Sequence, residues 1–160
     1  PDVSKLKEKI DKVKDNYDYV FIDGAAGIGR EAIAAIKASD KVLLVTNPDM
    51  TAVISMIKAK KIVHLLNNSL SGMIVNKVEG KKYELKIERI EELSEADIVG
   101  TVPFDKKIIE AISKMVPVVI LDGRAKSSRA FRKIAAKIAN EIYVEKEGFL
   151  EKLKRILHLS

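Results

Sequence analysis

Short apolar runs alternate along this chain with longer stretches in which apolar residues recur every three or four positions. The short runs are rich in β-branched side chains, which favours strands buried on both faces of a sheet, and the longer stretches predict amphipathic helices. The predicted strands lie at residues 19–22, 41–46, 72–75, 97–102 and 118–121, and the predicted helices at 3–14, 31–38, 51–66, 85–93, 108–115 and 127–143. This alternation predicts the α/β class, with a mainly parallel sheet covered by helices on both faces.

The first predicted strand, residues 19–22, ends abruptly at a carboxylate. Asp23 is followed by small residues up to Gly27, which turn the chain toward the next helix. The carboxyl ends of parallel strands are where open α/β sheets bind their ligands, so Asp23 is a candidate site residue. The alternative is that Asp23 only caps the helix that follows.

The next three predicted strands also end in polar or turn-forming residues. The strand at 41–46 runs into Asn47-Pro48-Asp49, where Pro48 ends the strand and Asp49 or Thr51 can cap the next helix. The strand at 72–75 ends at Asn76, and the strand at 97–102 ends at Pro103. These ends carry the second group of candidate site residues.

Composition narrows the chemistry that this chain can perform. Its 160 residues are one domain's worth of material, and it has no cysteine. A disulfide framework, a thiolate metal site, a self-contained iron–sulfur site and a cysteine nucleophile are therefore excluded, and a reducing cytoplasm suits the chain. The net charge of +6 would attract nucleic acid or acidic lipid, although lysines and glutamates spread over solvated helix surfaces explain the charge better. Two histidines, His64 and His158, offer no metal pair.

A phosphate-binding loop is missing from this sequence. Such a loop needs the pattern Gly-x-x-x-x-Gly-Lys-Ser/Thr, whose backbone N–H groups and lysine surround the phosphates. That pattern does not occur, and Gly27-Ile28-Gly29 lacks the third glycine of the dinucleotide-binding fingerprint. The 160 residues therefore contain no phosphate loop of their own.

Taken together, the strand ends resemble the MinD branch of the MinD/ParA ATPases, deviant Walker-motif proteins with a P-loop fold. Five segments match that family in order. They are residues 17–27 for the Walker B strand and its turn, 45–49 for the Thr-Asn-Pro-Glu segment, 73–78 for the strand ending in an adenine-contacting Asn, 100–105 for the Gly-x-x-Pro-x-Asp turn, and 117–121 for Pro-Val-Val-Ile-Leu. They cover nearly all of this chain but only the carboxyl-terminal portion of the family's fold.

The resemblance implies a role for each candidate residue. Asp23 would lie near Mg²⁺ and act through a coordinated water, and Gly27 would bring a backbone N–H toward the γ-phosphate and the attacking water. Asn76 would read the adenine edge with its amide, while Pro103 and Asp105 would line the base and ribose. The structural alternatives are a capping Asp23, a turn-forming Asn76 and a strand-stopping Pro103.

The resemblance also implies what is absent. The amino-terminal strand, the loop that carries two family lysines and the switch I region have no counterpart here. Residues 1–145 are therefore expected to form a partial ATPase domain with unpaired strand edges, because the missing strand would lie beside the one that ends at Asp23. We expect this chain alone neither to bind nor to hydrolyse ATP, and the complete protein to form a homodimer.

The last segment, residues 146–160, has an amphipathic pattern of its own. At roughly 100° per residue, an apolar stripe falls within an arc of about 120°, opposite a largely basic face. The stripe consists of Phe149, Leu150, Leu153, Ile156 and Leu157, and the polar face of Glu151, Lys152, Lys154, Arg155 and His158. Such a helix is typical of a bilayer interface, and a helix docked on its own domain or on a partner is the alternative.

This segment is similar to the membrane-targeting helix Lys-Gly-Phe-Leu-Lys-Arg-Leu that ends bacterial MinD proteins. The leading hypothesis is thus a MinD-like ATPase of cell-division-site or intracellular positioning, using ATP and Mg²⁺. It would be cytoplasmic and peripheral on the inner membrane face, with a possible regulatory protein partner. The alternatives are a ParA-like partition ATPase that holds DNA nonspecifically, which the apolar stripe disfavours, and a non-catalytic interaction fragment.

Overall fold

The computed structural model describes residues 5–25 and 27–144. The chain divides after Lys106 into two compact units, Pro1–Lys106 and Lys107–Ser160. All five candidate residues of the predicted nucleotide site belong to the first unit.

The first unit is built on a parallel sheet of three strands in the order β1-β2-β3. These strands are β1 (Lys41–Thr46), β2 (Ser69–Val78) and β3 (Ile98–Pro103). In the register of the sheet, Val75 lies opposite Thr46 on one side and Thr101 on the other. The carboxyl ends of all three strands therefore lie along one edge, and the predicted α/β class with a parallel sheet is confirmed.

Helices precede and connect these strands, as the apolar periodicity predicted; two lie ahead of β1, and two connect the strands. They are α1 (Leu6–Asp11), α2 (Arg30–Ala38), α3 (Met50–Leu65) and α4 (Ile87–Ser94), with a 3₁₀ turn at Lys14–Asn16. The apolar faces of α3 and α4 pack on β2, and the core there consists of Val53, Met56, Met73, Val75 and Ile90. Asp49 caps α3 through a 2.8 Å bond from the Ala52 N–H to Oδ1, one of the two caps predicted.

The strand predicted at residues 19–22 is wrong: this stretch forms no strand. Tyr19 and Phe21 are 56% and 79% exposed, and their rings stack with centroids 6.4 Å apart. The composition does suit a buried strand, but a strand exists only where a neighbour supplies its hydrogen bonds. Within the described part of the chain β1 is likewise an edge strand, paired only with β2, and Val45 is 59% exposed.

The described elements of the second unit, up to residue 144, are helices. They are α5, which spans Lys106–Ser113 and starts at the last residue of the first unit, α6 (Val118–Leu121) and α7 (Lys126–Ala139). The strand predicted at 118–121 is wrong, because these residues form α6. Pro117 stands at the N-cap with φ −57°, and its carbonyl accepts from the N–H groups of Ile120 and Leu121.

Side chains of α7 anchor α6. The buried Ser128 donates its hydroxyl to the Val118 and Asp122 carbonyls at 3.1 and 2.6 Å. Arg132 donates to the Val119 carbonyl at 3.2 Å and to that of Gly123. The bond to Val119 satisfies a carbonyl at the end of this four-residue helix, and the bonds to Val118 and Asp122 add to backbone bonds that these carbonyls already accept.

Gly72 offers a test of the sheet. Its φ is +116°, and a Cβ added there would lie 2.7 Å from Val99 Cγ2 and 2.8 Å from the Asp97 carbonyl oxygen. We expect Gly72→Ala to lower the free energy of unfolding by about 2 kcal/mol or more, because strain and overpacking add. Urea denaturation measures it. Gly29→Ala is the matched control, since nothing lies within 4 Å of its Cβ position and its φ is −70°. Equal losses in the two variants would contradict the register of β2 against β3.

Candidate functional site

The sheet brings three of the predicted site residues together. Asn76 lies near the carboxyl end of β2, and Pro103 ends β3 directly opposite Val78. The pairing continues one residue further, because the Phe104 N–H donates to the Val78 carbonyl at 2.9 Å. Asp105 follows and is buried, with 8% of its surface exposed. Asn76, Pro103 and Asp105 thus occupy neighbouring positions at one edge of the sheet.

The side chain of Asn76 is hydrogen-bonded to the backbone of the next residue. Its Oδ1 accepts from the N–H of Lys77 at 2.9 Å, and Lys77 has a left-handed φ of +57°. The ladder between β2 and β3 is interrupted from Val75 to Val78, so the turn at Asn76 is built into the strand. The side chain is half-buried, and no described residue accepts from Nδ2. This bond fits the turn-forming alternative, and it leaves the amide donor without an acceptor among the described residues.

A loop after β2 closes on the carboxylate of Glu84. Its two oxygens accept from the N–H groups of Glu79 at 2.9 and 3.2 Å, Gly80 at 2.8 Å and Lys81 at 3.3 Å. Gly80 makes this geometry possible with a φ of +74°. Desolvation raises the pKa of Glu84, but the three backbone donors outweigh it and hold the pKa below its usual value.

The same loop is tied to the end of β1. The Leu85 N–H donates to the carbonyl of Pro48 at 2.9 Å, and Pro48 is buried beside the Asp49 cap of α3. The ends of all three strands are therefore linked by hydrogen bonds outside the sheet ladder. Sequence reasoning missed Glu84. The available signal was Gly80 followed four residues later by a carboxylate, between two structured segments.

Asp23 lies elsewhere in the first unit. It is exposed, and it lines an open cavity together with Leu6 of α1 and Glu31 and Ala35 of α2. None of the described residues that line this cavity belongs to the three strands. The structure therefore does not join Asp23 to the group formed by Asn76, Pro103 and Asp105.

Gly27 lies just ahead of α2, whose N-cap is Gly29. Its φ is +87°, a left-handed value that glycine adopts without strain, and it is exposed. No side chain caps the amino terminus of α2. The backbone at Gly27 can thus present an N–H to solvent, but a glycine turn ahead of a helix is also an ordinary structural feature.

The predicted site residues fall into two groups. Asn76 and Pro103 lie near the carboxyl ends of β2 and β3, with Asp105 two residues beyond, whereas Asp23 and Gly27 lie near the start of α2. The cavity at Asp23 holds two carboxylates, Asp23 and Glu31, and no lysine or arginine among its described lining residues. Over residues 5–25 and 27–144, no group of three or more His, Cys, Asp or Glu side chains could hold a metal ion.

The predicted membrane residues lie outside the described residues. They are Phe149, Leu150, Lys152, Leu153, Lys154, Arg155, Ile156 and Leu157. Among the helices of residues 5–25 and 27–144, none is long and apolar enough to cross a bilayer.

Comparisons with known proteins identify the family and fold of this chain. A model of the ParA family, described as a NUBPL iron-transfer P-loop NTPase, matches residues 3–139. An uncharacterised ATP-binding protein of Methanocaldococcus jannaschii is 31% identical over 99% of this chain and 63% of its own length. The cell division ATPase MinD of Pyrococcus furiosus superposes with a TM-score of 0.82 at 27% identity, over 87% of this chain and 59% of that one.

The septum site-determining protein MinD of Pyrococcus horikoshii, solved with Mg-ADP, gives a TM-score of 0.81 at 26% identity, over 86% of this chain and 56% of that one. The chain thus spans about three fifths of the length of the proteins it matches. The family match covers most of the 160 residues, and the parallel α/β fold agrees with it. The resemblance is thereby confirmed, and this chain belongs to the ParA family of P-loop NTPases, within which the MinD branch fits.

Proposed function

We propose that this chain is the carboxyl-terminal part of a MinD-like ATPase that positions a division site or another intracellular structure. The observation that carries the proposal is the grouping of Asn76, Pro103 and Asp105 at the carboxyl ends of β2 and β3. This is the edge at which α/β folds bind nucleotides. Relatives named as ATP-binding or solved with Mg-ADP support the choice of ATP and Mg²⁺ as its cofactors.

In this proposal Asn76 reads the base. Its Nδ2 donates to a ring nitrogen of adenine, and the second lone pair of Oδ1 accepts from the exocyclic amino group, since the first is taken by the Lys77 N–H. Guanine carries an oxygen in place of that amino group and would leave the asparagine oxygen facing another acceptor. Pro103 covers one side of the base, and Asp105 lies toward the ribose.

The phosphate half depends on residues beyond these 160. Asp23 would hold a water of Mg²⁺, and the Gly27 N–H would face the γ-phosphate, but neither replaces a phosphate loop and its lysines. In the complete protein the reaction would be hydrolysis of the β–γ phosphoanhydride, in which Mg²⁺ and the lysines would neutralise the developing charge. The edge position of β1 and the exposed stretch at 19–22 support a missing strand between them.

The segment 146–160 would couple the nucleotide cycle to the membrane. Each basic residue near anionic lipid contributes about 1 kcal/mol, and Glu151 offsets one of Lys152, Lys154 and Arg155, so a single tail binds weakly. Two tails on an ATP-dependent homodimer gain from effective concentration. The protein would then be cytoplasmic and peripheral on the inner membrane face, where a regulatory protein could meet the dimer.

The first prediction concerns nucleotide binding by the chain as it stands. In equilibrium dialysis with ATP and Mg²⁺, we expect no appreciable binding, because the phosphates lack a loop and a lysine. A fusion that joins an amino-terminal segment carrying the phosphate loop to Pro1 should bind ATP. Appreciable binding by the 160 residues alone, or none by a folded fusion, would contradict the proposed division of the site.

The second prediction concerns base recognition. In that fusion, Asn76→Ala should weaken ATP binding about tenfold, or ~1.4 kcal/mol, while GTP binding changes little. Titration with both nucleotides measures the preference. Asn16→Ala, at an exposed turn, is the matched control and should leave the preference unchanged. If Asn76→Ala weakens ATP and GTP binding equally, Asn76 has only a structural role in the turn.

The third prediction concerns the tail. In co-sedimentation with vesicles containing phosphatidylglycerol, Leu153→Glu should lower the bound fraction of the chain at least tenfold, because it places a charge in the apolar stripe. Leu159→Glu makes the same change off the stripe and is the control. If Leu153→Glu and the unmodified chain bind the vesicles equally, the proposed membrane binding by segment 146–160 is wrong.

A further inference from the structure

We propose that Glu84 is the positioning residue of the base-binding edge and sets the preference for adenine over guanine. This inference rests on the proposed function, since it assigns a role within the same site. Among the described residues, Glu84 hydrogen-bonds to no predicted nucleotide residue. Its effect would pass through backbone groups that its carboxylate holds in place.

The first link is a single peptide unit. The Glu79 N–H donates to Glu84, and the carbonyl of the same peptide group, that of Val78, accepts from the Phe104 N–H at 2.9 Å. A peptide group is planar and rigid, so fixing its N–H also fixes the direction of its carbonyl. Glu84 thereby orients the bond that joins the ends of β2 and β3 and places Pro103 beside Asn76.

The second link reaches β1. The N–H of Leu85, the residue after Glu84, donates to the carbonyl of buried Pro48 at 2.9 Å. The loop is therefore held at one end by the carboxylate and at the other by the segment after β1. Because both ends are fixed, the left-handed turn at Lys77 and its bond to the Asn76 oxygen have little freedom to change.

The chemistry of the contacts favours a role beyond general stability. One carboxylate receives three backbone donors on an otherwise solvated loop, and the bonds to Glu79, Gly80 and Lys81 are charge-assisted. The hydrophobic cluster of the first unit includes Leu85 and Ile87 from this region but not Glu84. Removing the carboxylate should therefore loosen the loop and leave the core packed.

The first test uses the 160-residue chain without nucleotide. Hydrogen exchange in Glu84→Ala should be at least tenfold faster at the amides of Leu85 and Phe104, and unchanged at Ile33 in α2. Glu88→Ala removes the same charge four residues later and should leave all three rates as they are. Unchanged exchange at Phe104 in Glu84→Ala would overturn the positioning role, whatever the nucleotide site does.

The second test uses the ATP-binding fusion. Glu84→Ala should weaken ATP binding about fivefold and reduce the ATP-to-GTP preference. Glu84→Gln should have a smaller effect on both, because its side chain keeps one acceptor oxygen. Removing a negative charge would by itself tighten binding of an anionic nucleotide, so a weaker affinity cannot come from net charge. Faster exchange at Phe104 with an unchanged ATP-to-GTP preference would overturn the inference. A folded fusion that binds no ATP would instead overturn the proposed function, while the exchange data would still decide whether Glu84 positions the edge.

Discussion

The parallel register of β2 against both of its neighbours is the constraint on which the first unit depends. Val75 lies opposite Thr46 and Thr101, so three strand ends that are far apart in the sequence reach one edge together. Gly72 makes this register possible, because its left-handed φ lets the Met73 N–H donate to the Asp97 carbonyl at 2.9 Å where a side chain would collide. A shift of one residue would move Asn76 away from Pro103 and turn the core residues of β2 outward.

The sequence predicts those parts of the fold that depend on local pattern. β1 is found at the predicted residues 41–46, and Asp49 caps α3 as one of two expected residues. The strands predicted at 19–22 and 118–121 failed for different reasons. The first has the composition of a buried strand but no neighbour among the described residues, and pairing is not a property of one segment. The second follows Pro117, which begins a helical turn instead.

The candidate site shows the same division. The sequence pattern predicts that two strands end close to Asn76 and Pro103, with Asp105 just beyond. Parallel pairing of these strands then brings the three residues to one edge. The pattern does not predict the Glu84 contacts, because a carboxylate that binds its own loop looks like any charged surface residue in a sequence. The sequence predicts Asp23 at the carboxyl end of a strand, but residues 19–22 form no strand. In this structure its surroundings come from α1 and α2.

In the proposed function, these differences separate recognition of the base from chemistry at the phosphates. The base edge is built from groups that the first unit itself holds in place: a ladder bond at Val78, a bond to Pro48 and a closed loop at Glu84. The other half has two carboxylates in an open cavity, and two carboxylates without a cation repel a triphosphate. If the missing strand lies between β1 and residues 19–22, it would supply the phosphate loop. The same strand would also pair with residues 19–22 and so fix the position of Asp23. Metal binding, sheet completion and hydrolysis would then depend on the same added segment, whereas adenine selection would already be set by this chain.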